Sequence, residues 1–143
     1  MSQMKQQVRI YASPRTVYQA LSTQEGLRAW WTADMIVEPR VGGIAEFSHG
    51  EERTHLRARV AELVPDNRVE WDCLGEHEEW KGTRITWRME TQGNSTELYL
   101  THADWVSADG WFGTCNAIWG ILLYRLKDYA EGKNPGPFFS GKD

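Results

Sequence analysis

Trp111-Phe112-Gly113-Thr114-Cys115-Asn116-Ala117-Ile118-Trp119-Gly120-Ile121-Leu122-Leu123-Tyr124-Arg125-Leu126 is the stretch that decides how this chain folds. Trp111, Cys115, Ile118, Leu122, Leu126 and then Tyr129 recur at spacings of three and four, the stripe of an amphipathic helix. The segment Ser107 to Glu131 is therefore predicted as one long helix. Phe112, Trp119 and Leu123 widen the stripe on one side and Ile121 on the other, so the apolar arc spans roughly 200°. A helix resting on a flat surface needs about half of that. This one must be wrapped.

The segments upstream supply the wrapping. Leu56, Ala58 and Val60 alternate with His55, Arg57 and Arg59; Val69, Trp71 and Cys73 with Arg68, Glu70 and Asp72; Ile85, Trp87 and Met89 with Thr86, Arg88 and Glu90. Leu98, Leu100 and His102 alternate in the same way with Glu97, Tyr99 and Thr101. Each strand has one dry and one wet face, as in an antiparallel sheet covered on one side. Pro65-Asp66-Asn67, the acidic Gly75 to Gly82 and Gln92-Gly93-Asn94 provide the turns. Gln7 to Ala12 reads as a first strand. Ser13-Pro14 opens a helix to about Ser22, with Ser as cap and Pro at its first position. A second short helix spans about Gln24 to Trp31, and Gly42-Gly43 breaks the chain before a strand at Ile44 to Ser48. The expected fold is α+β: a curved antiparallel sheet of about six strands around a long C-terminal helix, with two short helices between strands 1 and 2. One domain is expected over residues 1–143, with a core at about 5–133 and a tail at 134–143 opened by Asn134-Pro135-Gly136-Pro137.

Net charge is −4, and the basic residues from Arg53 to Arg59 alternate with others, so a nucleic-acid partner is not expected. The longest apolar run, Ala117 to Tyr124, is too short to span a bilayer. Met1 to Gln7 is polar and lacks a secretory apolar core, and Cys73 and Cys115 sit in apolar patterns as buried thiols. A cytoplasmic location is expected. Eight Trp residues imply a bulky core or an aromatic-lined cavity, because each indole also carries an N–H that needs a partner.

Several local patterns sharpen the fold: Ile10-Tyr11-Ala12-Ser13-Pro14-x-x-Val17-Tyr18-x-Ala20-Leu21, Leu27-x-x-Trp30-Trp31, Val41-Gly42-Gly43 and Leu98-x-Leu100-Thr101-His102-x-x-Trp105. With the closing helix, they resemble the START-like helix-grip superfamily (SRPBCC). Within it they resemble the subgroup similar to the C-terminal domain of activators of the ninety-kilodalton heat-shock chaperone ATPase. The resemblance covers nearly the whole chain and implies a helix-grip fold. It leaves function open among lipid carriers, receptors, cyclases and chaperone cofactors, since fold does not carry function.

No nucleophile elbow, phosphate loop or paired metal-ligand spacing is present, so no catalytic residue, metal or cofactor is expected. His102 follows Leu98 and Leu100 on the dry face and must be hydrogen-bonded there, to protein or to a ligand. The aromatic set reads either as plain core or as the lining of a cavity. On the second reading, a small apolar molecule is enclosed by Trp30, Trp71, Trp87, Met89, Leu100, His102, Trp111, Cys115, Ile118 and Leu122. Trp30 and Trp80 would frame its entrance, and Phe138-Phe139 would cover it or meet a second subunit. Trp119 is expected to be over-exposed for a monomer, which fits a homodimer contact. A chaperone partner is the alternative function, and a cyclase-like or hydrolase enzyme acting through His102 a third.

Overall fold

The computed structural model describes residues 2–49 and 54–139. Arg53 and residues 140–143 of the expected tail lie outside them. In chain order the elements are β1 (Ser2–Ile10), α1 (Pro14–Ser22), α2 (Gln24–Trp30), β2 (Met35–Val37), β3 (Ile44–His49), β4 (Thr54–Val64), β5 (Arg68–Leu74), β6 (Arg84–Gln92), β7 (Ser95–Trp105) and α3 (Trp111–Ala130). All seven strands form one antiparallel sheet in the order β1-β7-β6-β5-β4-β3-β2. Its inner face packs against α1, α2 and α3, and the buried side chains form one core. No helix among the described residues is long and apolar enough to cross a membrane.

Local chemistry sets most boundaries. The Ser13 hydroxyl accepts from the Thr16 N–H at 3.2 Å and starts α1, with Pro14 in the first turn. Thr23 does the same for α2, accepting from Gly26 at 3.0 Å. The expected six strands become seven because β2, only three residues long, buries Met35 and Val37 and exposes Ile36. That is too short for alternation to be visible in sequence. β1 starts at Ser2 rather than Gln7 and stops at Ile10 rather than Ala12, since pairing with β7 draws the polar N-terminal residues into the sheet. α3 begins at Trp111, not Ser107. Gly110 adopts φ 73°, which a helix cannot continue through, and Glu79 from the β5–β6 loop accepts from the Trp111 N–H at 3.0 Å.

The described part of the tail does not leave the body. Phe139 bridges to Thr32, donating to the Trp31 carbonyl and accepting from the Ala33 N–H, each at 3.0 Å. The Arg125 guanidinium holds the carbonyls of Pro135 and Gly136 at 2.6 and 2.7 Å. The outer face of the sheet carries cross-strand ion pairs, among them Arg84–Asp72, Arg59–Asp72 and Arg68–Glu62. Glu97 is buried there, and the Gln7 amide and Arg9 guanidinium hold its carboxyl below the usual carboxylate range.

α1 and α2 meet with almost no clearance. A Cβ added to Gly26 would lie 2.7 Å from the Ala20 Cα and 2.8 Å from the Gln19 and Ala20 carbonyls. Gly26→Ala should therefore lower stability by about 2 kcal/mol in denaturant melts, despite the better helix propensity of alanine.

Candidate functional site

Three central strands aim their alternate residues at α3. The register aligns Trp71 with Ile85 and Ile85 with His102, then Trp87 with Leu100, then Met89 with Leu98. From above, α3 contributes Cys115, Trp119 and Leu122, all buried, and Trp111 and Ile118, partly buried. α2 ends at Trp30. Trp31 follows as its cap with φ −100° and ψ −75°, so both neighbouring indoles turn inward. Trp31 becomes the hub, with ring centroids 4.7 Å from Phe47, 5.0 Å from Trp119, 5.5 Å from Trp30 and 5.7 Å from Trp71. Trp87 stands edge-on to Trp71 and Trp119 at 5.3 and 5.9 Å.

His102 lies in this interior with no exposed surface. The Trp119 indole N–H can only donate, and it reaches His102 Nδ1 at 3.1 Å. Nδ1 is therefore the acceptor and Nε2 carries the proton. Nε2 donates to the Thr83 hydroxyl at 2.9 Å, and that hydroxyl donates to the Trp80 carbonyl at 2.6 Å. Cys73 Sγ lies 4.0 Å from Nε2. Both ring nitrogens are engaged, and burial lowers the imidazole pKa to about 3. The same burial raises both thiols, Cys115 to about 12. This interior presents neutral His and Cys groups, without an activated base or nucleophile among them.

Of the ten residues expected to enclose a ligand, nine belong to the apolar core or pack against it, and His102 is buried among them. Met89 sits toward one end, beside Leu98, and Trp111 toward the other, its ring stacked on His77 at 4.0 Å. Four residues are placed differently from expectation. Trp119 is 3% exposed rather than over-exposed, because its N–H is bound to His102 and its ring to Trp31. Neither Trp30 nor Trp80 frames an entrance: they are 0% and 1% exposed and donate to the Ala20 and Arg57 carbonyls at 2.9 and 2.7 Å. Phe139, expected to cover an entrance or meet a second subunit, packs on the core of its own chain and bridges to Thr32. Thr83 was missed, although it precedes Ile85 and Trp87 on the dry face, and alternation alone points to it.

Three clefts outlined by described residues are open and lie outside this interior. One, of about 460 Å³, is on the outer sheet face around Lys5, Arg88 and Tyr99. Another, of about 560 Å³, lies between the short helices and the end of α3 beside Gln19 and Tyr129. The third, of about 330 Å³, is lined by Glu46, His55 and Arg57. Among the described residues, no group of three or more His, Cys, Asp or Glu side chains is placed to hold a metal ion. Two indoles, Trp87 and Trp105, are buried with no acceptor for their N–H groups.

The family model described as Activator of Hsp90 ATPase homolog 1-like protein matches residues 11–131. The solution structure of the Aha1 dimer from Colwellia psychrerythraea is 34% identical, covering 92% of this chain and 98% of that one with a TM-score of 0.83. A protein from Mesorhizobium loti, 14% identical, covers 89% of this chain and 95% of its own with a TM-score of 0.77. One from Chromobacterium violaceum, 19% identical, covers 92% and 98% with a TM-score of 0.76. The last two likenesses concern the fold alone. No curated protein sequence matches the chain.

Because His102 is held neutral, acid opposes folding. Unfolded chains take up a proton near pH 6.5 and folded ones only near pH 3, so this stability is complete above about pH 6.5 and is lost as pH falls. Between pH 6.5 and 5, the unfolding free energy should drop by up to about 1.4 kcal/mol per pH unit. His102→Gln should be less stable at pH 7 by about 1–3 kcal/mol and lack that slope, as read from urea melts across the range.

Proposed function

The chain belongs to the Activator of Hsp90 ATPase homolog 1-like family, and from that premise we propose that it works through its surface as an interaction protein. Its proposed partner is a chaperone ATPase of the ninety-kilodalton heat-shock class, and it acts as a homodimer like its relative from Colwellia psychrerythraea. One observation carries this choice. Where a ligand was expected, Trp30, Trp31, Trp71, Trp80, Trp87 and Trp105 are each no more than 1% exposed and pack ring against ring. Both nitrogens of His102 are taken as well. An interior so occupied leaves recognition to the exterior. Two free, buried thiols fit a reducing compartment, and a cytoplasmic location is part of the same proposal.

Titrating the purified chain into the chaperone of its own organism should raise steady-state ATP turnover saturably, alongside a complex visible by co-sedimentation. If neither the complex nor any change in turnover is seen, the chaperone proposal is withdrawn.

A specific observation also supports the carrier function. The N–H groups of Trp87 and Trp105 are buried without an acceptor, at a cost of about 1–3 kcal/mol each. A small apolar molecule bearing one carbonyl or hydroxyl, admitted by rearrangement under Trp111 and Ile118, would supply it. Fluorescent apolar probes should then quench Trp emission saturably. Trp87→Phe, which keeps a ring but removes the N–H, should weaken binding about tenfold. A panel without saturable binding discards the carrier function.

A further inference from the structure

β1 is one of the two edges of the sheet, and along any strand successive residues point their main-chain groups to opposite sides. Two contacts identify the outward set. Lys127 Nζ donates to the Arg9 carbonyl at 2.8 Å, and the Tyr11 N–H donates to the Glu131 carboxylate at 2.8 Å. The Thr96 hydroxyl donates to the Ala12 carbonyl from the β7 side, so the even residues face inward along the sheet. Lys5 and Gln7 therefore turn their N–H and C=O groups outward. Among the described residues, nothing pairs with these four groups.

α3 runs beside this edge and treats its two halves differently. Lys127 and Glu131 close the part near Arg9 and Tyr11. Farther down, the Gln6 side-chain amide donates to the main-chain and side-chain oxygens of Asn116, and α3 carries Gly113 and Gly120, where an added Cβ would meet nothing within 4 Å among the described residues. Each helical glycine costs about 1 kcal/mol relative to alanine, and no neighbour inside the chain requires either one. Ile121 and Tyr124, 46% and 62% exposed, are on the solvent side of the same helix. An open strand edge is a template for another strand, and proteins ordinarily cover it.

Resting on the dimeric state proposed above, we infer that the Lys5–Gln7 stretch of β1 pairs antiparallel with the same stretch of a second copy. The two-fold axis passes through Gln6. This register sets Lys5 opposite Gln7 of the second copy and closes four N–H···O bonds with the four outward groups of each chain that face the axis. It keeps the two Lys5 charges from lying directly opposite each other. The two seven-stranded sheets become one continuous sheet, and the room beside Gly113 and Gly120 admits the approaching copy.

Sedimentation of the full chain and two variants tests the pairing. Gln7→Pro removes an outward N–H while leaving the ladder to β7 intact. It should weaken the dimer roughly ten- to a hundredfold with unchanged circular dichroism. Gln6→Cys places two thiols across the axis in a non-hydrogen-bonded pair, whose Cα separation of about 4.5 Å suits a disulfide, so mild oxidation should cross-link the chains. A wild-type chain that stays monomeric at every concentration removes the dimeric state and this pairing together. A dimeric Gln6→Cys protein that does not cross-link overturns the pairing and leaves the dimer standing, even if Gln7→Pro fails to fold.

Discussion

Large indole rings must be buried, and each carries one N–H that burial leaves in need of an acceptor. That pairing of demands organises this molecule. Apolar contact alone would let such rings slide over one another, because dispersion is weak per atom pair and almost without direction. Hydrogen bonds supply the direction here. Trp30 donates to the Ala20 carbonyl at 2.9 Å and so ties α2 to α1. Trp80 donates to Arg57 and ties the β5–β6 loop to β4, while Trp119 donates to His102 and ties α3 to β7. Three indoles thus fasten three pairs of elements, and the remaining rings pack between them.

His102 follows from the same demand. The interior needs an acceptor beneath α3, where no main-chain carbonyl on the inner face of a strand can supply one, since those carbonyls lie in the plane of the sheet. A neutral imidazole accepts on one nitrogen and donates on the other, so it can pass the requirement on to Thr83 and from there to the Trp80 carbonyl. His102 thereby links α3, through Trp119, to Thr83 and the β5–β6 loop. The indoles of Trp31, Trp71, Trp87 and Trp119 pack ring against ring.

Much of this was legible before any coordinates. Alternation from Leu56 to His102 assigned the inner and outer faces, and Ser13-Pro14 caps its helix as its chemistry requires. β2 was not legible, because three residues carry no periodicity. Nor was the start of α3, where a carboxylate 32 positions away, Glu79, competes with local propensity. Trp119 and Trp80 misled for a related reason. Helical angle and loop membership place a residue on its own element, but neither tells what stands opposite it.

The amino-acid sequence by itself determined the fold class, the dry faces of the strands, the inward direction of His102 and the need to wrap the last helix. These depend on periodicities of two and about 3.6 residues, which are properties of a single element. Only the tertiary structure decided which indoles stack on one another, which nitrogen of His102 carries the proton, and which half of β1 stays open. Those outcomes depend on the volumes and donors that distant segments bring to one point, and no local pattern encodes them.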